Sequence, residues 1–343
     1  MLAVLSLVVG TAAWVQGVLS PAELWGAGQR IEAVASLERE LRARPADPLR
    51  RRQLVEWELA IHRYQAALEH MRGLGSEVRP LRGLALFRSS RFEEALEHLD
   101  PRQADQLLLV IDALWALGQL ERLDRAIDDA RRLIGEDDPR VQTLLGRRHV
   151  RNGRFDEAAR SFRLALVADP DAAAAMFGLG QSLLRLGQRD EGLRVLEQHR
   201  RITPLLDRLD FCLRSLDLNP LSAHNHAAQG DAERALAHHE RAEASYRTAA
   251  RLAGANEIVP IALRHARLLA EDLGNLPGAL EVLRSAGRQV QDVRLHVRAG
   301  DLLLASGQPA AALEAFEQAL ELRPGDALIA QRIEAARLAL ESR

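Results

Sequence analysis

The stretch "GRFDEAARSFRLALVADP", Gly153 to Pro170, decides the fold. It sets a small residue at Ala158, an aromatic at Phe162, a small residue at Ala165 and a proline at Pro170. Residues spaced by three and four share one face of a helix. Two helices crossing at close range need small side chains where their axes approach, so Ala158 is expected opposite Gly146. Phe162 then fills the gap toward a following hairpin. Gly153 permits a tight turn before the helix, and Pro170 cannot continue it.

The same offsets recur along the chain. "GQPAAALEAFEQALELRPGD" from Gly307 repeats them with Ala312, Phe316, Ala319 and Pro324. "HERAEASYRTAARL" supplies Ala242, Tyr246 and Ala249, and "GNLPGALEVLRSAG" supplies Ala279, Leu283 and Ala286. "GQRDEGLRVLEQHRRITP" gives Gly192, Leu196 and Pro204, the last 34 residues after Pro170. Degenerate copies are "RYQAALEHM" from Arg63 and "RFEEALEHL" from Arg91, and "GQRIEAVASLERELRARP" opens the series at Gly28. A glycine stands seven places before the turn at Gly146, Gly180 and Gly300. A repeat of this length is one helical hairpin that buries its apolar face only against its neighbours.

This pattern resembles the tetratricopeptide repeat over roughly residues 28 to 324. The resemblance implies an all-α, tetratricopeptide-type solenoid of helical hairpins wound as a right-handed superhelix. An apolar helix is expected ahead of it. The expected divisions are residues 1–20, an anchor or signal sequence; 21–204, a first block of repeats; and 205–220, an extra helix that breaks the parity. A second block, 221–324, and a capping helix, 325–343, polar on its outer face, complete the chain. The helix ending in "RRLIGEDDP" reads as about four residues too long for the repeat.

Composition narrows the chemistry. Ala, Leu, Arg and Glu favour helix, and acids and bases nearly cancel, at a formal net charge of -2. That balance points away from nucleic acid. All 46 basic residues are arginine, which excludes a phosphate-loop lysine and a Schiff-base lysine. The one cysteine, Cys212, excludes an internal disulfide and a cysteine zinc knuckle.

The first 22 residues, "MLAVLSLVVGTAAWVQGVLSPA", carry no charged side chain. As helix they span about 33 Å, against about 30 Å of bilayer hydrocarbon, so a single-pass membrane anchor is expected. Ser6, Gly10, Ala13 and Gly17 form a small-residue face on it. Arginines downstream, from Arg30 to Arg52, place the array on the cytoplasmic side by the positive-inside rule. The other readings are an exported periplasmic factor for envelope assembly and a non-catalytic accessory subunit of an enzyme. Anchored tetratricopeptide proteins of lipopolysaccharide assembly are also similar, but their cysteine-rich metal knuckle is absent here.

The sequence holds no HExxH, GxSxG, phosphate loop or strand-linked GxGxxG. The expectation is a non-enzyme with no cofactor and no metal. The histidines of "SAHNHAAQGDAERALAHHER", His224, His226, His238 and His239, point to different helix faces and read as solvated. In the tetratricopeptide resemblance the first helix of each hairpin lines a concave groove that binds peptides. By helix face those positions are Arg140, Thr143, Arg147 and Arg151, then Gln181 and Arg185, then Arg264, Arg294 and Arg298, with Asp301 beside them. Arg140, Arg147 and Arg151 share one stripe with no obvious acidic partner in it, and Arg185 holds the equivalent place on the next hairpin, so a protein or peptide rich in carboxylates is the expected ligand. The lysines and asparagines of the family's carboxylate clamp are missing.

Overall fold

The computed structural model describes residues 19–342, all helix and connecting turns with no strand among them. The chain divides into two compact units, before and after the Pro204–Leu205 bond. The first unit contains α1 (Pro21–Gly26), α2 (Arg30–Ala43), α3 (Pro48–Ala60), α4 (Tyr64–His70), α5 (Arg79–Arg88) and α6 (Phe92–His98). It continues with α7 (Ala104–Ala116), α8 (Leu120–Leu133), α9 (Pro139–Arg151), α10 (Phe155–Ala168) and α11 (Ala173–Arg185), and α12 (Arg189–Leu218) begins in it. The second unit takes the rest of α12, then α13 (Ala223–Ala235), α14 (His239–Leu252), α15 (Ile258–Arg267) and α16 (Leu276–Gly287). It ends with α17 (Val293–Ala305), α18 (Pro309–Leu322) and α19 (Ala327–Glu341). Within each unit, second helices pack on the first helix of their own hairpin and of the next, the arrangement of a tetratricopeptide-like solenoid.

The local chemistry explains the hairpins. Gly153 adopts φ 71°, a left-handed turn that glycine enters without a Cβ clash. His62, Ser90 and Ala237 hold the same turn with side chains attached, at φ 62°, 58° and 61°. First helices start on capping carboxylates: Asp47, Asp138, Asp292 and Asp326 each accept a backbone N–H of the first turn. The repeat positions are core. Ala158, Phe162 and Ala165 are fully buried, as are Ala312, Phe316 and Ala319.

Phe162 is what Gly146 makes room for. A Cβ on Gly146 would stand 2.5 Å from Cε1 of Phe162. The small residue on the first helix therefore serves the ring. A Cβ on Gly178, in the next hairpin, would overlap the same ring. Phe162 is wedged between the two glycines. Gly300 with Phe316, and Gly230 with Tyr246, repeat half of the arrangement in the second unit.

Four expectations change. Residues 205–220 do not form a separate helix, because α12 runs unbroken through 30 residues with Pro204 inside it. Pro204 is exposed, so water can take the carbonyl that its missing N–H leaves unbonded. The helix before "GEDDP" is not too long: α8 has 14 residues, and the surplus forms the loop at Gly135, φ 111°. The outer face of α19 is not uniformly polar, since Leu328 and Leu338 are 63% and 65% exposed. Finally, the expected apolar helix and anchor, residues 1–20, lie outside the described residues but for their last two. Ser20 is already the cap of α1. Among the described residues no helix is long and apolar enough to cross a membrane, so the expected single-pass membrane localisation is not supported.

Candidate functional site

Three consecutive first helices of the first unit, α7, α9 and α11, wall a solvent-open cleft of about 890 Å³. Trp115 comes from α7, and Arg147, Val150 and Arg151 come from α9. Phe177, Gly178, Gln181, Ser182 and Arg185 line it from α11, and Phe155 and Phe162 of α10 form its base. Of the residues expected in a groove, the structure brings Arg147, Arg151, Gln181 and Arg185 together here. Thr143 and Arg140, one turn and two turns before Arg147 on α9, do not line it.

The electrostatics differ from the sequence expectation. The guanidinium of Arg147 lies over the Trp115 ring, 3.8 Å from its centroid, a cation held against a π face. Burial lowers the Arg147 pKa, with Asp112 opposing the shift, although a guanidinium stays charged at neutral pH. Protein packed around Asp112 raises its carboxyl above the ordinary value, and Arg147 works against that. Arg151 donates through Nη2 to Asp124 of α8. Its Nη1 is buried with no hydrogen-bond acceptor. Arg185 is exposed and makes no ion pair or hydrogen bond among the described residues.

The remaining expected groove arginines are neutralised. Arg140 grips its own helix cap, with Nε 3.0 Å from Oδ1 and Nη2 2.8 Å from Oδ2 of Asp138. Arg294 does the same to Asp292, at 2.9 and 2.8 Å. Arg264 donates to Asp231 at 3.1 Å, which also accepts the Tyr246 hydroxyl at 2.6 Å. Arg298 donates to Glu271 at 2.7 Å, and Arg267 donates to the same carboxylate at 2.8 Å. Glu271 sits in a π-helical turn, Leu268–Asp272, that follows α15. Asp301 accepts from Arg332 at 2.9 Å, and the Thr143 hydroxyl donates to the Pro139 carbonyl at 2.8 Å. Arg140 and Arg151, expected to lack acidic partners within their stripe, are thus paired with acids outside it, and Arg264, Arg294 and Arg298 are paired as well. Their acids stand outside the helix face that carries them, at caps, on neighbouring helices or in the π turn, where a single-helix reading does not look.

Trp115, Phe155, Phe177 and Gly178 belong to the cleft and escaped the sequence reading. Phe177 was within reach, since Phe177, Gln181 and Arg185 share one stripe at spacings of four. Among the described residues no three His, Cys, Asp or Glu side chains gather into a group that could hold a metal ion. His226 bonds to the Pro220 carbonyl at 2.9 Å and His224 is exposed.

Tetratricopeptide-repeat family models match residues 143–205 and 293–326. Apart from Trp115, every residue lining the cleft falls in the first match. No curated protein sequence matches. Among solved structures the chain is similar to a thermophilic TPR protein of Thermus thermophilus, at 22% identity and a TM-score of 0.33. That match covers 58% of this chain and 99% of that one. YrrB, described as a TPR protein with an unusual peptide-binding site, shows 18% identity over 61% of this chain and 98% of its own, TM-score 0.31. Yeast Tom70 shows 16% identity over 91% of this chain and 59% of its own, TM-score 0.30. TM-scores this low carry no argument about function. The family models and the hairpin pattern agree on one conclusion: this chain carries tetratricopeptide repeats.

Proposed function

We propose that the protein is a non-catalytic interaction scaffold that holds a segment of a partner protein in the cleft between α7, α9 and α11. One observation carries this reading. An exposed aromatic ring, Phe177, and an exposed arginine without a partner among the described residues, Arg185, line the same open cleft, whereas Arg140, Arg264, Arg294 and Arg298 are already bound to carboxylates. Arginine forks pair with carboxylates in charge-assisted hydrogen bonds, so an acidic segment fits. Such contacts are partly exposed, and they weaken as salt shortens the screening length to about 10 Å at 0.1 M.

A photo-crosslinking residue placed at Gln181 in the full chain tests this in its native cells. Crosslinks to a partner are expected there, and they should disappear when Arg147, Arg151 and Arg185 are all changed to glutamine. They should persist when Arg264, Arg294 and Arg298 are changed instead. Helical content and Tm should barely move in either variant. Crosslinks indifferent to the first triple change, or none at Gln181, would place the function elsewhere.

A further inference from the structure

We propose that the cleft selects a segment carrying both a large apolar side chain and a carboxylate two to four residues away, with Phe177 choosing the apolar residue and Arg185 the acid. The inference rests on the scaffold reading above and adds the chemistry of its ligand.

Two independent observations require the two halves. On the apolar side, Phe177 is 49% exposed while Phe162, at the base of the same cleft, is fully buried. Its ring meets His199 at a tilted 5.4 Å and otherwise offers an open apolar surface to the cleft. Apolar area removed from water by a ligand there is a favourable, non-directional contribution. A purely acidic segment would leave that ring wet.

On the polar side, Arg185 lines the cleft as an exposed cation with no ion pair or hydrogen bond among the described residues. A purely apolar segment would cover its donors without satisfying them, a costly arrangement. Each half of the cleft thus disfavours a ligand that serves only the other half.

The spacing follows from the helix. Phe177 and Arg185 are eight residues apart on α11, about 12 Å along the axis at 1.5 Å per residue. An extended chain advances about 3.3 Å per residue, so roughly four residues bridge the distance, fewer when the long arginine reaches back. Gln181 lies midway between them on the same stripe, placed to hydrogen-bond the intervening backbone.

The test uses the full chain and three short labelled peptides of equal length. One carries phenylalanine and glutamate three residues apart; the second has serine for the phenylalanine; the third has glutamine for the glutamate. Binding is read by fluorescence anisotropy and by the emission of Trp115, with Trp115→Phe as the control for that signal. The first peptide is expected to bind at least about tenfold tighter than either of the others, a difference of about 1.4 kcal/mol. Phe177→Ser should reduce it to the level of the second peptide, Phe177→Leu should restore most of the loss, and Arg185→Gln should reduce it to the level of the third. Equal binding of the first two peptides, or no effect of Phe177→Ser, overturns the two-part selection while leaving the cleft a binding site. Failure of all three peptides also overturns it, and the crosslinking experiment then decides separately whether the cleft binds a partner.

Discussion

Arg147 lies over the Trp115 ring across two hairpins, with the guanidinium 3.8 Å from the indole centroid. The pair joins α9 to α7 at the wall of the cleft, and it is held without a salt bridge. A cation over an accessible aromatic ring contributes about 0.5–1 kcal/mol. Arg147→Gln should therefore lower stability by no more than about 1 kcal/mol while shifting Trp115 emission to longer wavelength, as water replaces the guanidinium. Lysine should restore little of the original spectrum, because an ammonium lacks the planar surface that stacks. An emission spectrum unchanged in Arg147→Gln would show that the pair does not persist in solution.

Gly178 gives a sharper test of packing. A Cβ at this position would overlap the Phe162 ring, which is itself fully buried. Gly178→Ala should cost about 1–3 kcal/mol by overpacking, despite the better helix propensity of alanine. Phe162→Leu should be destabilising alone yet should absorb part of the Gly178→Ala penalty. A denaturant-melt double-mutant cycle measures that coupling. Additive effects would mean that the ring and the glycine do not share the space.

The caps predict an acid limb to the stability curve. Hydrogen bonds from Arg140 hold the Asp138 carboxyl below its ordinary value of 3.8, and those from Arg294 do the same for Asp292. A depressed pKa in the folded state means stability that is present above the ordinary value and lost as pH falls through the depressed one. Asp138→Ala and Asp292→Ala should each cost about 1 kcal/mol near neutrality. Their melting temperatures should also fall less than wild type when the pH drops below 3.8. Parallel curves for wild type and variants across that range would remove the caps from the acid transition.

The hairpins could be read from the sequence because their determinants are local. Gly153 before a helix, Ala158 and Ala165 around Phe162, and Pro170 after it act within a few turns of each other. What escaped was set by partners distant along the chain. Arg151 finds Asp124 on the preceding hairpin, and Arg298 finds Glu271 in a π-helical turn that no short-range pattern announces. Pro204 misled for a different reason. Proline ends most helices, but one exposed position with a solvated carbonyl lets α12 continue. Of the cleft, its arginines and Gln181 were visible as a stripe, whereas its aromatic half was hidden. Phe177 looks like a core residue until its neighbour Gly178 is seen to have given the core position to Phe162.

The ring of Phe162 also bears on how the first unit comes apart. One side chain fills space left by Gly146 in its own hairpin and by Gly178 in the next. Neither hairpin can therefore loosen without stripping the other of part of its interior. In a linear array, stability is a sum of intrinsic terms and nearest-neighbour terms, and this ring contributes to both. It ties the loosening of one hairpin to that of the next. The cleft above it takes its α9 and α11 walls from these two hairpins, so those walls are expected to be lost together.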